Sequence, residues 1–167
     1  IAYVLTLFYN NSKAFLFWWV SSIGLSLLFG GFWENLFAGF NLGDERFSQY
    51  LTTQADATVF AYTGFRWDFL IYSAIPVALG AHYIFKKQYA DKLYVHLFNT
   101  YLIANSFWIL VIRSSFSNRF ASLSWFLIPI ILILPLLYTK IWKNQNEKIA
   151  LILLLSFAFT YYMSLNS

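Results

Sequence analysis

The chain carries four arginines, Arg46, Arg66, Arg113 and Arg119, and seven lysines, Lys13, Lys86, Lys87, Lys92, Lys140, Lys143 and Lys148, and the two types occupy separate segments. An Arg guanidinium is a planar fork of donors that grips phosphate or carboxylate through two parallel bonds and keeps its proton. A cluster built only from arginine therefore points to anion binding. The simpler reading is that each Arg snorkels to lipid headgroups or pairs with a nearby acid. The acids in the same segments are Glu34, Asp44, Glu45, Asp56 and Asp68. A general base supplied by this chain comes from that group, because a base must reach the hydroxyl it deprotonates. Each is equally a salt-bridge partner in the simpler reading.

Other reactive chemistry is sparse. With no cysteine, neither a disulfide nor a thiolate metal site can form. His82 and His96 sit far from the arginines in the expected topology and read as packed or interfacial residues. No glycine-rich phosphate loop, nucleophile elbow or metal-ligand spacing occurs, so no cofactor, metal or nucleic-acid partner is expected. Asn99, Ser106 and Arg113 recur at i, i+7 and i+14 and share one helix face, a polar stripe suited to neighbouring helices.

These residues must be held by apolar elements. Hydrophobic residues make up 60% of the 167 and charged ones 11%, with mean hydropathy +0.60. A soluble domain carries about 25% charged residues, so the composition predicts an all-α polytopic membrane protein. Spans of about 20 apolar residues are expected at 14–33, 67–85, 93–112, 120–139 and 149–165. Residues 1–9 read as the end of another transmembrane helix of a larger protein. Pro76, Pro129 and Pro135 fall inside spans, where neighbours must satisfy the freed carbonyls.

The connections then place every lysine on one side and every arginine on the other. Short cytoplasmic loops favour basic residues, which makes the lysine loops cytoplasmic. Residues 34–66 are too polar to span and too aromatic to float free in water. They read as an interfacial helical outer loop, with Phe47, Tyr50 and Leu51 on one apolar face.

"GFRWDFLIYSAIP" (64–76) and "NTYLIANSFWILVIRSSFSNRFASLSWFLIPIILILPLL" (99–137) resemble the C-terminal half of the EpsG family, relatives of the Wzy-type polysaccharide polymerases. The resemblance covers about residues 40–165, and "SNRF" and "FRWDF" are its most specific pieces. It implies one part of a larger multispanning, glycosyltransferase-like fold in the bacterial inner membrane. It implies an enzyme that joins oligosaccharide repeat units carried on undecaprenyl diphosphate into exopolysaccharide, capsule or O-antigen at the outer face, without a metal. Implied partners are the lipid-linked oligosaccharide, membrane lipid and other polysaccharide-assembly proteins.

Under that resemblance Arg66, Arg113 and Arg119 become diphosphate clamps and Arg46 a further one. Asp44 and Glu45 stand as candidate bases, and Asp68 suits orienting an arginine better than acting as base. A competing, non-enzymatic reading is a lipid-linked oligosaccharide flippase or export subunit that uses the arginines as an entry site. The lack of an internal repeat and of charge at the bilayer midplane places it second. A purely structural subunit would pair every outer arginine with an acid.

Overall fold

The structure is a computed structural model that describes residues 2–39, 64–114, 117–138, 140 and 143–165. Among these, every regular element is a helix: α1 (Ala2–Phe8), α2 (Ser12–Leu28), α3 (Phe32–Gly39), α4 (Trp67–Ala81), α5 (Lys92–Leu110), α6 (Ser117–Trp125), α7 (Ile128–Tyr138) and α8 (Gln145–Leu165). A wide π turn, His82–Lys86, prolongs α4.

Local chemistry sets the boundaries. Asn11 caps α2, its Oδ1 accepting from the backbone N–H of Lys13 at 3.1 Å and of Ala14 at 3.2 Å. Asp91 caps α5 in the same way, accepting from the N–H of Tyr94 at 2.8 Å. The span expected at 14–33 stops at Leu28, because Gly31 takes φ +80°, a left-handed conformation that ends the helix. The chain then restarts as α3.

The span expected at 120–139 is two helices. Pro129, at the second position of α7, has no N–H to continue a ladder from α6, and a tight turn with Leu127 N–H on the Ser124 carbonyl joins the two. The segment expected to be an interfacial helical outer loop from residue 34 is helical through Gly39. Residues 40–63, with Asp44, Glu45, Arg46, Asp56 and the Phe47–Tyr50–Leu51 face, lie outside the described residues.

The hub is α5. Tyr94, Phe98, Asn99, Tyr101, Leu102, Asn105, Ser106, Trp108 and Ile109 are all fully buried on it, so it is enclosed on nearly every side. Paired contacts give the directions. Thr6 lies beside Thr100, Trp19 bonds Asn105 and Gly30 touches Arg113, so α1 and α2 run parallel to α5. Tyr101 bonds Ser73, and Phe98 lies on Gly80, so α4 runs antiparallel. Asn105 bonds Ser124 and Tyr94 bonds Ile131, so the α6–α7 pair is antiparallel too. Gln145 bonds the Leu136 carbonyl and Phe159 stacks on Tyr72, which returns α8 along α7 and α4.

One end of the bundle therefore carries Lys13, the lysines of 86–92 and those of 140–148. The opposite end carries Arg66, Arg113 and Arg119. Two stretches, Trp67–Lys86 and Arg119–Tyr138, are long and apolar enough to cross a membrane, and Ser12–Leu28 is a shorter apolar helix. Large apolar side chains also face outward, among them Phe8 at 87% exposure on α1 and Phe157 at 71% on α8. Outward apolar side chains in such number mark contact with lipid or protein.

Candidate functional site

At the arginine end, α4 begins at "FRWDF". Arg66 sits just before the helix and Asp68 in its first turn, where the helix dipole favours an acid. The two residues close a forked ion pair, Nε to Oδ1 at 3.0 Å and Nη2 to Oδ2 at 2.7 Å. The Arg66 guanidinium also lies 3.7 Å over the Phe69 ring. Both Asp68 oxygens are thus engaged, and Asp68 holds an arginine in place.

Arg113 differs. It stands beyond the C-terminal end of α5, where the helix dipole favours a cation, and its side chain is exposed. Among the described residues it makes no ion pair. Its guanidinium rests on Gly30 so closely that a Cβ there would meet Cζ at 2.4 Å and Nε and Nη1 at 2.6 Å. Any side chain at position 30 would evict it. The ring of Phe65 lies 5.9 Å from Arg113 Cζ, and Phe65 itself leans on Trp67 with ring centroids 4.6 Å apart. Arg113 is therefore a guanidinium fork near an aromatic pair, Phe65 and Trp67, whose two residues flank Arg66 in sequence. Arg119 is exposed in the first turn of α6, at the same end of the bundle.

Glu34 completes this end. It lies in the first turn of α3, only 6% exposed, and among the described residues neither carboxylate oxygen has a hydrogen-bond partner. Two contacts bracket it against the end of α5: Gly30 on Arg113, and Phe37 edge-on to Phe107 at 4.9 Å. Trp33 Nε1 donates to the Leu25 carbonyl at 3.3 Å and folds α3 back on α2.

The expected polar stripe divides. Asn99 donates to Asn10, Ser106 bonds the Leu102 carbonyl of its own helix at 2.7 Å, and Arg113 faces outward. The main cross-helix polar link is instead Asn105, whose Oδ1 accepts from Trp19 Nε1 at 2.8 Å and whose Nδ2 donates to Ser124 Oγ at 3.1 Å. A second link runs from Trp125 Nε1 to Ser73 Oγ at 3.0 Å, while Tyr101 donates to the Ser73 carbonyl at 2.8 Å. An amide inside an apolar helix was the available signal for Asn105. Nothing in the sequence separates Glu34 from the other acids.

At the lysine end, His96 lies beside Tyr3 with ring centroids 6.3 Å apart, and His82 is in the π turn. Among the described residues, no three His, Cys, Asp or Glu side chains gather as metal ligands. An open cleft of about 440 Å³ there is lined by Lys140, Lys143, Asn144, Gln145, Asn146 and Glu147, point charges and amides rather than guanidinium forks. Asp44, Glu45 and Arg46 cannot be placed, lying outside the described residues. No protein-family model, curated protein or solved structure matches this chain.

Proposed function

We propose that the chain is part of a bacterial inner-membrane polysaccharide polymerase of the EpsG type. It transfers a growing glycan from undecaprenyl diphosphate to the next lipid-linked repeat unit at the arginine-bearing face. The observation that carries this reading is Arg113, an exposed guanidinium with no acid partner among the described residues, beside Phe65 and Trp67. Transfer of the glycan leaves a diphosphate, and a preorganised cation stabilises charge as it develops on the leaving group. The neighbouring aromatic faces suit the apolar faces of sugar rings. The two apolar stretches and the outward apolar side chains of α1 and α8 support a membrane setting, with the lysine end cytoplasmic.

The test is substitution of Arg113 or Arg119 by Lys in the full-length protein. Lys keeps the charge and loses the fork. A charge-assisted hydrogen bond is worth about 1.5–3 kcal/mol, and each 1.36 kcal/mol is tenfold in rate, so elongation is expected to fall about 10- to 150-fold in a variant that inserts normally. Wild-type polymer length in both variants removes the diphosphate clamp. Movement of lipid-linked sugar without any change in chain length would favour the flippase instead.

A further inference from the structure

Four carboxylates lie among the described residues, and three are already employed: Asp68 by Arg66, Asp91 as the cap of α5, and Glu147 by Asn144 at 3.3 Å. Glu34 is the exception. Burial of a carboxylate without a hydrogen-bond donor is costly, and a catalytic role is one of the reasons a protein retains such a group. Glu34 lies at the arginine end, bracketed by the Gly30–Arg113 and Phe37–Phe107 contacts. The chain from Gly30 to Glu34 spans at most about 14 Å.

We infer that Glu34 is the proton acceptor for the transfer proposed above, and the inference rests on that reading. The acceptor sugar hydroxyl donates to a Glu34 oxygen. Its own oxygen attacks the anomeric carbon of the donor glycan and forms the new glycosidic bond. The bond from that carbon to the diphosphate oxygen breaks, and its electron pair leaves with undecaprenyl diphosphate, whose charge meets the Arg113 fork. The hydroxyl proton ends on Glu34 and passes to solvent before the next cycle.

In the ligand-free chain the Arg113 guanidinium occupies the space over Gly30, four residues before Glu34. A diphosphate that draws the side chain outward vacates that space over Gly30. A side chain at position 30 would shift the guanidinium out of that space.

The experiment uses the full-length protein in liposomes with undecaprenyl-diphosphate-linked repeat units extracted from its host. It compares wild type with Glu34→Gln, which keeps the shape and removes the base. Elongation is followed by gel, undecaprenyl diphosphate binding by native mass spectrometry, and thermal unfolding reports the fold. A positioned base contributes about 10²- to 10⁴-fold, so elongation is expected to fall at least 100-fold. Diphosphate binding should stay within threefold, and the unfolding midpoint should hold because Gln keeps the shape of Glu. Elongation within tenfold of wild type overturns the inference while the polymerase reading stands. So does a loss of elongation that is matched by lost binding and a lowered midpoint. A wild-type chain that binds the lipid-linked units and never lengthens them overturns the polymerase reading, and the inference with it.

Discussion

Pro135 lies inside α7 and has no N–H, so the carbonyl of Ile131, four residues earlier, loses its helical partner. Tyr94 on α5 supplies the replacement, its hydroxyl donating to that carbonyl at 3.0 Å. Both residues are 0% exposed, so no bulk water can take over. Tyr94→Phe keeps the ring against Tyr89 and Tyr83 and removes only the hydroxyl. An orphaned buried carbonyl costs about 1–3 kcal/mol in general, and interhelical hydrogen bonds in membrane proteins average about 0.6 and reach about 1.7 kcal/mol. A loss of about 1 kcal/mol is expected. In a Pro135→Ala background the new N–H reaches the Ile131 carbonyl, and Tyr94→Phe should then cost less than about 0.3 kcal/mol. Equilibrium unfolding of the four proteins in mixed micelles gives the cycle, in which the packing lost with the proline ring cancels. Equal costs in the two backgrounds would show that Tyr94 does not serve the carbonyl that Pro135 vacates.

Two other substitutions separate close packing from open space. A Cβ at Gly80 would lie 2.4 Å from the ring of Phe98, which is fully buried, so Gly80→Ala should destabilise the α4–α5 contact by about 1–3 kcal/mol. Gly24→Ala, with nothing within 4 Å, should be neutral or stabilising by up to about 1 kcal/mol in the same thermal-unfolding series. Asn105→Leu removes the partner of Trp19 and of Ser124 together, and should lower stability by about 1–2 kcal/mol. Adding Trp19→Phe should recover part of that loss, because the indole N–H is then no longer left unpaired.

The helical class and the separation of lysine from arginine were legible because both follow from long apolar runs and from the order of charges along the chain. The breaks were not. Gly30–Gly31 sits within an apolar run that satisfies the length rule for a span, and only the left-handed φ of Gly31 shows that the run ends there. Pro129 and Pro135 look alike in sequence. The first falls in the opening turn of α7, where a missing N–H costs nothing, and the second falls deep enough to need Tyr94. The Arg66–Asp68 pair could be read from its i, i+2 spacing at a helix start. The burial of Glu34 depends on α3 folding back on α2 and α5, a tertiary outcome that no local pattern encodes.

The arginine end is consequently not one uniform cationic patch. An anion approaching Arg66 must displace Asp68 and exchanges one carboxylate for another negative group, so the net gain is small. An anion approaching Arg113 displaces no acid among the described residues and meets a fork carried at the end of the most enclosed helix. Asn105, between Trp19 and Ser124, ties that helix to α2 and α6, and Tyr94 and Tyr101 tie it to α7 and α4. A group that must meet charge as it develops gains most from being held before the reaction, since reorientation would consume the stabilisation it offers. Under the proposed polymerase function, the polar links buried in α5 serve the site as well as the fold, because they hold the helix from whose end Arg113 projects. The side chain itself rests over Gly30, where the missing Cβ leaves room for it.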